Sequence, residues 1–376
     1  MTSARVLALP DKPLALLGLA LLLVGLVAIS SASIEYADWN YQDPWFHTQR
    51  HLIYLLLALT GATLVYRMPT SFWLDTGWVW LFLALALLIL VLIPGVGREV
   101  NGSQRWLPLG PFTLQPSEFA KLAIVVYLAG YMVRREHEVR HEWQGFLKPM
   151  AVLFAATLLL MIEPDFGATV IVAGTAFGML FLAGVKLGHF LIVLLGALGA
   201  MLVLVVSEPY RVQRLTAYTD PWADPYNTGF QLTQSLIAFG RGEWLGVGLG
   251  NSVQKLFYLP EAHTDFVFAI WAEEMGFIGA LLVIALYVGL IGRIFWVGRR
   301  ALDRRNAFGA YVCYGVALIF SGQAFINMGV SSGLLPTKGL TLPFVSYGGT
   351  SLIVCCAMLA MVLRIECDTR LKRKRR

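Results

Sequence analysis

The sequence predicts an all-α polytopic membrane protein with about ten transmembrane helices, and three observations support that reading. Of 376 residues, 57% are hydrophobic and 14% charged, and the mean hydropathy is +0.67, values outside the range of ordinary soluble domains. The apolar residues gather into ten runs bounded by charge, proline or glycine. The lysines and arginines crowd into alternate connections, as expected when cytoplasmic loops carry the positive charge.

In order, the runs are Leu14 to Ser33, Leu52 to Tyr66, Trp78 to Ile93, Phe119 to Val133, Met150 to Ile162, Ala168 to Val185, Phe190 to Val206, Phe266 to Ile291, Gly309 to Met328 and Ser351 to Leu363. Several fall short of the roughly 20 residues of a full span, so their ends are expected to extend into flanking polar residues. The first run lacks a small-residue cleavage site followed by a soluble domain and reads as a span, not a cleaved signal peptide. With both termini cytoplasmic, the inner segments hold 20 of the 29 basic residues and 8 of the 23 acidic ones. An odd number of spans would destroy that asymmetry. The net charge of +6 therefore reports topology. The basic cytoplasmic tail, residues 364–376, reads as an anchor near anionic lipid, with no nucleic-acid partner implied. Residues 1–376 are expected to form one transmembrane domain. Cys313, Cys355, Cys356 and Cys367 lie in the last two spans or the tail, so no external disulfide is available and no metal-ligand spacing appears.

Two connections are long: Pro94 to Glu118, and a large extracytoplasmic loop between spans 7 and 8, residues 207–262. The second is rich in Trp, Tyr, Phe and Gly, unlike a disordered chain, and is expected to fold against the outer bilayer face. Its glycines, Gly240, Gly242, Gly246, Gly248 and Gly250, suit turns and also suit close backbone approach to a phosphate.

Charges inside or at the ends of spans are the candidate functional groups. Glu273 and Glu274 lie within the eighth run, where a lipid-exposed carboxylate costs on the order of 2.5–3.5 kcal/mol, so at least one must face protein or water. Structural and functional roles stand equal for them. They sit about 12–14 Å deeper than Asp265, too far for a close catalytic pair. Asp265, at the mouth of that span, has a simple alternative role as a helix cap or first-turn acid. In Gln115-Pro116-Ser117-Glu118, Ser117 can cap the fourth span and its N-terminus can receive an anion, while Lys121 can pair with Glu118. Arg50, Arg105, Arg211, Arg214, Arg241 and Lys255 place positive charge on the outer side, against the trend, and suit either anionic ligands or interfacial ion pairs. No His/Cys cluster at metal spacing, phosphate-binding P-loop or nucleophile elbow is present.

Several strings, taken together, resemble the SEDS family of bacterial cell-wall proteins over nearly the whole chain. They include Asn101-Gly102 to Arg105-Trp106 with Leu109-Gly110-Pro111, Gln115 to Glu118 with Lys121, Glu163-Pro164-Asp165, and Asp220-Pro221 with Asp224-Pro225. Gly229-Phe230-Gln231 with Gln234-Ser235, Leu259 to Phe266 and Leu342 to Gly349 complete the set. Gln254 to Tyr258 resembles the division branch of the family more than the elongation branch. Arg241-Gly242-Glu243 departs from the glycine that many relatives carry there.

The resemblance implies a peptidoglycan glycosyltransferase of the cytoplasmic (inner) membrane that polymerises lipid II into glycan strands on the periplasmic side, at the division septum. It also implies a class B penicillin-binding transpeptidase and other division proteins as partners. Asp265 is then the expected general base on the acceptor hydroxyl, or the holder of a divalent cation such as Mg2+ or Mn2+ on the pyrophosphate. Lys121, Arg50, Arg105, Glu118, Lys255, Gln231, His263 and Ser346 are the expected substrate contacts. Two other classes compete: a lipid II flippase, which Glu273 and Glu274 would suit, and a non-catalytic division scaffold.

Overall fold

A computed structural model describes residues 10–100, 103–110, 112–207, 218–227, 229–336 and 339–374. Arg211 and Arg214, and Asn101, Gly102 and Pro111 of the family strings, lie outside these residues.

All ten apolar runs are helices: α1 (Lys12–Tyr41), α2 (Phe46–Arg67), α3 (Thr70–Leu92), α4 (Pro116–Arg134), α6 (Trp143–Ile162), α7 (Phe166–Leu182), α8 (Leu187–Val206), α10 (Val267–Asp303), α11 (Ala307–Ser331) and α12 (Gly349–Lys374). Seven are long and apolar enough to cross a bilayer by themselves, and α7 and α8 are shorter apolar helices. As expected from the short runs, most helices extend into polar flanks; α12 outruns its apolar stretch at both ends. A short helix, α5 (Glu136–His141), and a further one, α9 (Phe230–Gly242), complete the helical set. Leu16, Leu23, Leu56, Phe82, Leu195 and Val288 are exposed, a burden that only a lipid surround relieves. α4 is the most enclosed span together with α12. It packs between α3, α7 and α11, while α12 lies on α2, and α10 on α1 and α11.

The end carrying both termini is tied by charge. Asp11 caps α1 by accepting from Leu14 N at 3.0 Å, and its carboxylate binds Arg293 of α10 and Arg370 of α12, each at 2.7 Å. Burial alone would raise the Asp11 pKa, but the Arg293 hydrogen bond, the Leu14 N–H and the two guanidinium charges together hold it below the usual carboxylate range.

Two features at the opposite end depart from the all-α expectation. The connection from Pro94 to Glu118 contains three short antiparallel strands in the order β1 (Arg98–Val100), β2 (Ser103–Leu109) and β3 (Phe112–Leu114). They close over the bundle, with Thr350 Oγ1 at the start of α12 donating to Thr113 O at 3.0 Å and accepting from Gln115 N at 3.1 Å. In the long 207–262 connection, the described part from Phe230 onward does not rest on the outer face. It descends along α10 and returns. Ser235 Oγ donates to Ser331 O at 2.6 Å near the outer end of α11, whereas Gly242 packs against Ala272 O, seven residues or about 10 Å deeper than Asp265.

A break in α10 anchors this re-entrant segment. Gly276 takes φ 65°, ψ −167° inside the first third of the 37-residue helix, which orphans backbone groups that lipid cannot satisfy. The re-entrant chain satisfies them: Val247 N and Gly248 N donate to Glu273 O and Glu274 O at 3.0 Å, and Phe277 N and Ile278 N donate to Glu243 O at 2.9 Å and Trp244 O at 3.2 Å. Gly242 and Gly246 permit this approach, since a Cβ at either would strike the α10 backbone. These two glycines of the cluster thus serve close packing of two backbones.

Candidate active site

Asp265 ends a tightly wound turn in front of α10. Thr264 N, Asp265 N and Phe266 N all point at Glu261 O, at 3.1–3.2 Å, and Glu261 itself takes φ 55°, a conformation that a non-glycine residue adopts at some cost. Asn327 of α11 fixes the turn from the side, its Nδ2 donating to Asp265 O at 2.8 Å and to Leu340 O at 2.6 Å. The carboxylate itself caps nothing: α10 starts with Phe266 as its N-cap residue and has no side-chain cap. No described residue donates to the Asp265 carboxylate oxygens. Gly339 leaves room for them, because a Cβ there would stand 2.7 Å from Asp265 Oδ2. Burial raises the Asp265 pKa to about 7, Glu261 and Asp165 raising it further and Arg105 opposing.

Arg105 reaches the same site from β2. Its Nε donates to Glu163 O at 3.1 Å and its Nη2 to Pro164 O at 2.5 Å, which docks the small sheet onto the turn between α6 and α7. In that turn Asp165 is the cap of α7, accepting from Ala168 N through Oδ1 and from Ser117 Oγ through Oδ2, both at 3.0 Å. Ser117 therefore does not cap α4, as the sequence suggested; Gln115 occupies the N-cap position.

The other expected contacts are placed differently. Glu118 and Lys121 form an ion pair at 2.7 Å, with side chains 6% and 0% exposed. The pair lies inside the bundle, near Cys355 of α12, and neither group has a geometrically sound hydrogen bond. It neutralises itself, as the pairing alternative required. Lys255 Nζ binds Glu274 Oε1 at 3.1 Å, Ser31 Oγ at 3.1 Å and Gly250 O at 2.8 Å. Its charge is consumed there. Glu273 accepts from Ser252 Oγ at 2.5 Å, Val253 N at 3.1 Å and Gln254 N at 3.3 Å, with Arg241 at 3.5 Å. Both glutamates thus clamp the re-entrant segment.

His263 packs among Tyr36, His47 and Tyr347, with ring centroids 4.9–5.7 Å apart, and Tyr347 N donates to His263 O at 3.0 Å. Burial lowers its pKa to about 4, so it sits there as a neutral ring that supports the Asp265 turn. Ser346 Oγ accepts from Leu342 N at 2.8 Å and shapes the loop before α12. Arg50 lies over the Phe46 ring at 5.3 Å. Gln231 is exposed in the first turn of α9. A cleft of about 640 Å3 lies elsewhere, between α9, α10 and α11, and is lined by Phe268, Phe277, Tyr287, Phe325 and other apolar residues. It contains none of the groups around Asp265.

The structure thus brings Asp265 and Arg105 together and adds Asp165, Glu163, Asn327 and Gly339, which sequence reasoning had not placed in the site. Glu163-Pro164-Asp165 carried a signal, since it was among the family strings. The family model described as "Cell cycle protein", which groups FtsW, RodA and SpoVE, matches residues 12–371. The chain belongs to this family. It is 53% identical over 360 residues to the protein of Pseudomonas fluorescens named "Probable peptidoglycan glycosyltransferase FtsW", covering 96% of this chain and 88% of the relative. A protein of the same name from Nitrosococcus halophilus is 55% identical over 365 residues, covering 96% and 94%. Among solved structures, a chain from work on coordination of polymerization and crosslinking by a peptidoglycan synthase complex superposes with a TM-score of 0.78 at 32% identity, covering 96% of this chain and 98% of that one. The rod shape determining protein RodA of Thermus thermophilus gives 0.71 at 28% identity, with the same coverage.

Proposed function

We propose that this chain is an inverting peptidoglycan glycosyltransferase that polymerises lipid II into glycan strands on the outer side of the bacterial cytoplasmic membrane, in septal wall synthesis. The names of relatives at about half identity support the activity and the division role. One structural observation carries the mechanism: a partly buried carboxylate that receives no hydrogen bond from the described residues, Asp265, shares its site with an arginine that no carboxylate among those residues contacts.

In this reading Asp265 accepts the proton of the acceptor sugar hydroxyl as its oxygen attacks the anomeric carbon of the donor. The bond from that carbon to the diphosphate breaks, and the diphosphate leaves with the electron pair toward Arg105. One displacement converts an α-linked donor into a β-linked product, so no second carboxylate acts as nucleophile. A pKa near 7 suits a base working near neutral pH. A divalent cation on the diphosphate would draw on Asp265 and Asp165. Both Asp165 oxygens are already engaged by Ser117 and Ala168 N, and among the described residues no three His, Cys, Asp or Glu side chains are grouped to hold a metal. No step is therefore routed through a cation.

A class B transpeptidase is the proposed partner, supported by the likeness to a chain from a complex that couples polymerization to crosslinking. The flippase alternative drew on Glu273 and Glu274, and their oxygens serve the clamp. The test is polymerisation of lipid II by purified protein with its partner, measured as glycan strands. Asp265→Asn is expected to make them far more slowly while keeping its melting temperature; full activity would refute the assignment. Movement of labelled lipid II across vesicles without polymer would favour the flippase, and loss of division without loss of either activity the scaffold.

A further inference from the structure

Arg105 stands near three carboxyl groups and is bound by none of them. Its guanidinium is held by the main-chain carbonyls of Glu163 and Pro164. Asp165, in the same turn, spends its oxygens on Ser117 and Ala168 N. The Glu163 side chain is fully buried, and neither of its oxygens has a partner. A carboxylate without a donor is costly to keep ionised away from water, whereas the neutral acid is tolerated there. Had Glu163 been ionised, it would have offered the guanidinium beside it a partner and cancelled its charge.

We propose that Glu163 is a positioning residue: its carbonyl fixes Arg105 while its own side chain stays uncharged beneath the guanidinium, leaving that positive charge for a phosphate oxygen of the lipid-linked donor. The inference rests on the glycosyltransferase reading above and adds the device that keeps its anion site cationic. Burial pushes the Glu163 carboxyl up to about 8, with Asp165 raising it further and Arg105 lowering it. Those two are the charged groups that face it, Asp165 from its own turn and Arg105 from β2. Asp265, before α10, interacts electrostatically with both Asp165 and Arg105, and the Glu118–Lys121 pair of α4 is neutral as a unit. The device therefore fails in the alkaline range: once Glu163 ionises, it competes with substrate for Arg105.

The experiment measures the affinity of the purified protein in nanodiscs for undecaprenyl diphosphate between pH 6.5 and 9.5. The wild type is expected to weaken by about tenfold above pH 8, the change that accompanies roughly one pKa unit of ionisation. Glu163→Gln, uncharged at every pH, is expected to match the wild type at pH 7 and to hold its affinity at pH 9.5. Arg105→Gln is expected to bind weakly throughout, with no difference between backgrounds when combined with Glu163→Gln. Ionisation of Asp265 and of the ligand is common to wild type and Glu163→Gln, so the difference between their curves isolates Glu163. Parallel curves overturn the proposal, as does lost binding at pH 7 in a Glu163→Gln protein that melts normally. If that variant does not fold, Glu163→Met has to give the same flat curve. Polymerisation is recorded on the same preparations. Wild type that binds with the expected pH dependence but makes no polymer overturns the enzymatic reading alone, and wild type that polymerises with pH-independent binding overturns this one alone.

Discussion

Two sets of buried or partly buried acids lie on and around one helix and have opposite fates. Glu273 and Glu274, just above the Gly276 break in α10, are saturated: hydroxyls, backbone N–H groups, Lys255 and Arg241 occupy their oxygens. Asp265 at the head of the same helix and Glu163 in the facing turn receive no donor from the described residues. Depth in the membrane made the first pair conspicuous in the sequence, yet the proposed chemistry falls to the second set. What separates a structural charge from a functional one here is whether the fold has satisfied it, and that is invisible in a list of residue types.

The comparison breaks most directly at its two ends. Asp265→Asn is expected to lower the polymerisation rate by roughly 100- to 10,000-fold, the usual range for loss of a general base, without changing the melting curve. Glu274→Ala is expected to do the reverse in kind, costing about 3–5 kcal/mol of stability by leaving Lys255 buried and unpaired. Thermal unfolding in detergent would read this, and the double variant with Lys255→Met is expected to recover part of the loss. A stable, inactive Glu274→Ala protein would place the clamp in the chemistry and dissolve the distinction. Gly339→Ala sharpens the other end: a methyl group 2.7 Å from Asp265 Oδ2 has to displace the carboxylate, with roughly 10- to 100-fold loss of rate for a shift of about 1 Å, seen in kcat before stability.

The pH dependence has a definite sign. Asp265 works as a carboxylate and its pKa lies near 7, so the rate should climb through pH 6 to 8 and fall by about tenfold for each unit well below 7. A rate flat from pH 5.5 to 7.5 in a chemistry-limited assay would contradict a base with a raised pKa. The smallest effect expected is Ser346→Ala, about 1 kcal/mol of stability from the lost bond to Leu342 N, with activity kept at neutral pH. A larger fall in rate than in stability would return Ser346 to the substrate contacts.

Much of the bundle was legible in the sequence because the bilayer imposes a simple rule: apolar runs of sufficient length become helices, and all ten did. Asp265 and Arg105 were legible through family strings. The descent of α9 was not, because thirteen residues carrying Thr233, Gln234 and Arg241 do not advertise a membrane segment, and their seat is made by a break in another helix. The three strands were missed for a similar reason, being short and placed by contacts with α12 and the α6–α7 turn. Asp165 with Glu163, Asn327 and Gly339 come from three separate stretches of chain, and only folding reveals that they converge. For Ser117, local cap chemistry was overruled by a partner 48 positions away.

The re-entrant path of α9 also constrains how the protein is made. At thirteen residues it is too short to leave the translocation channel as a span, and the backbone groups that receive its following loop belong to the Gly276 break in α10. Its partner at the outer end, Ser331, closes α11. The segment must therefore wait outside the bilayer until helices synthesised after it have been inserted, and slide in afterwards, so that assembly of this protein runs against the order of its synthesis at the break in α10.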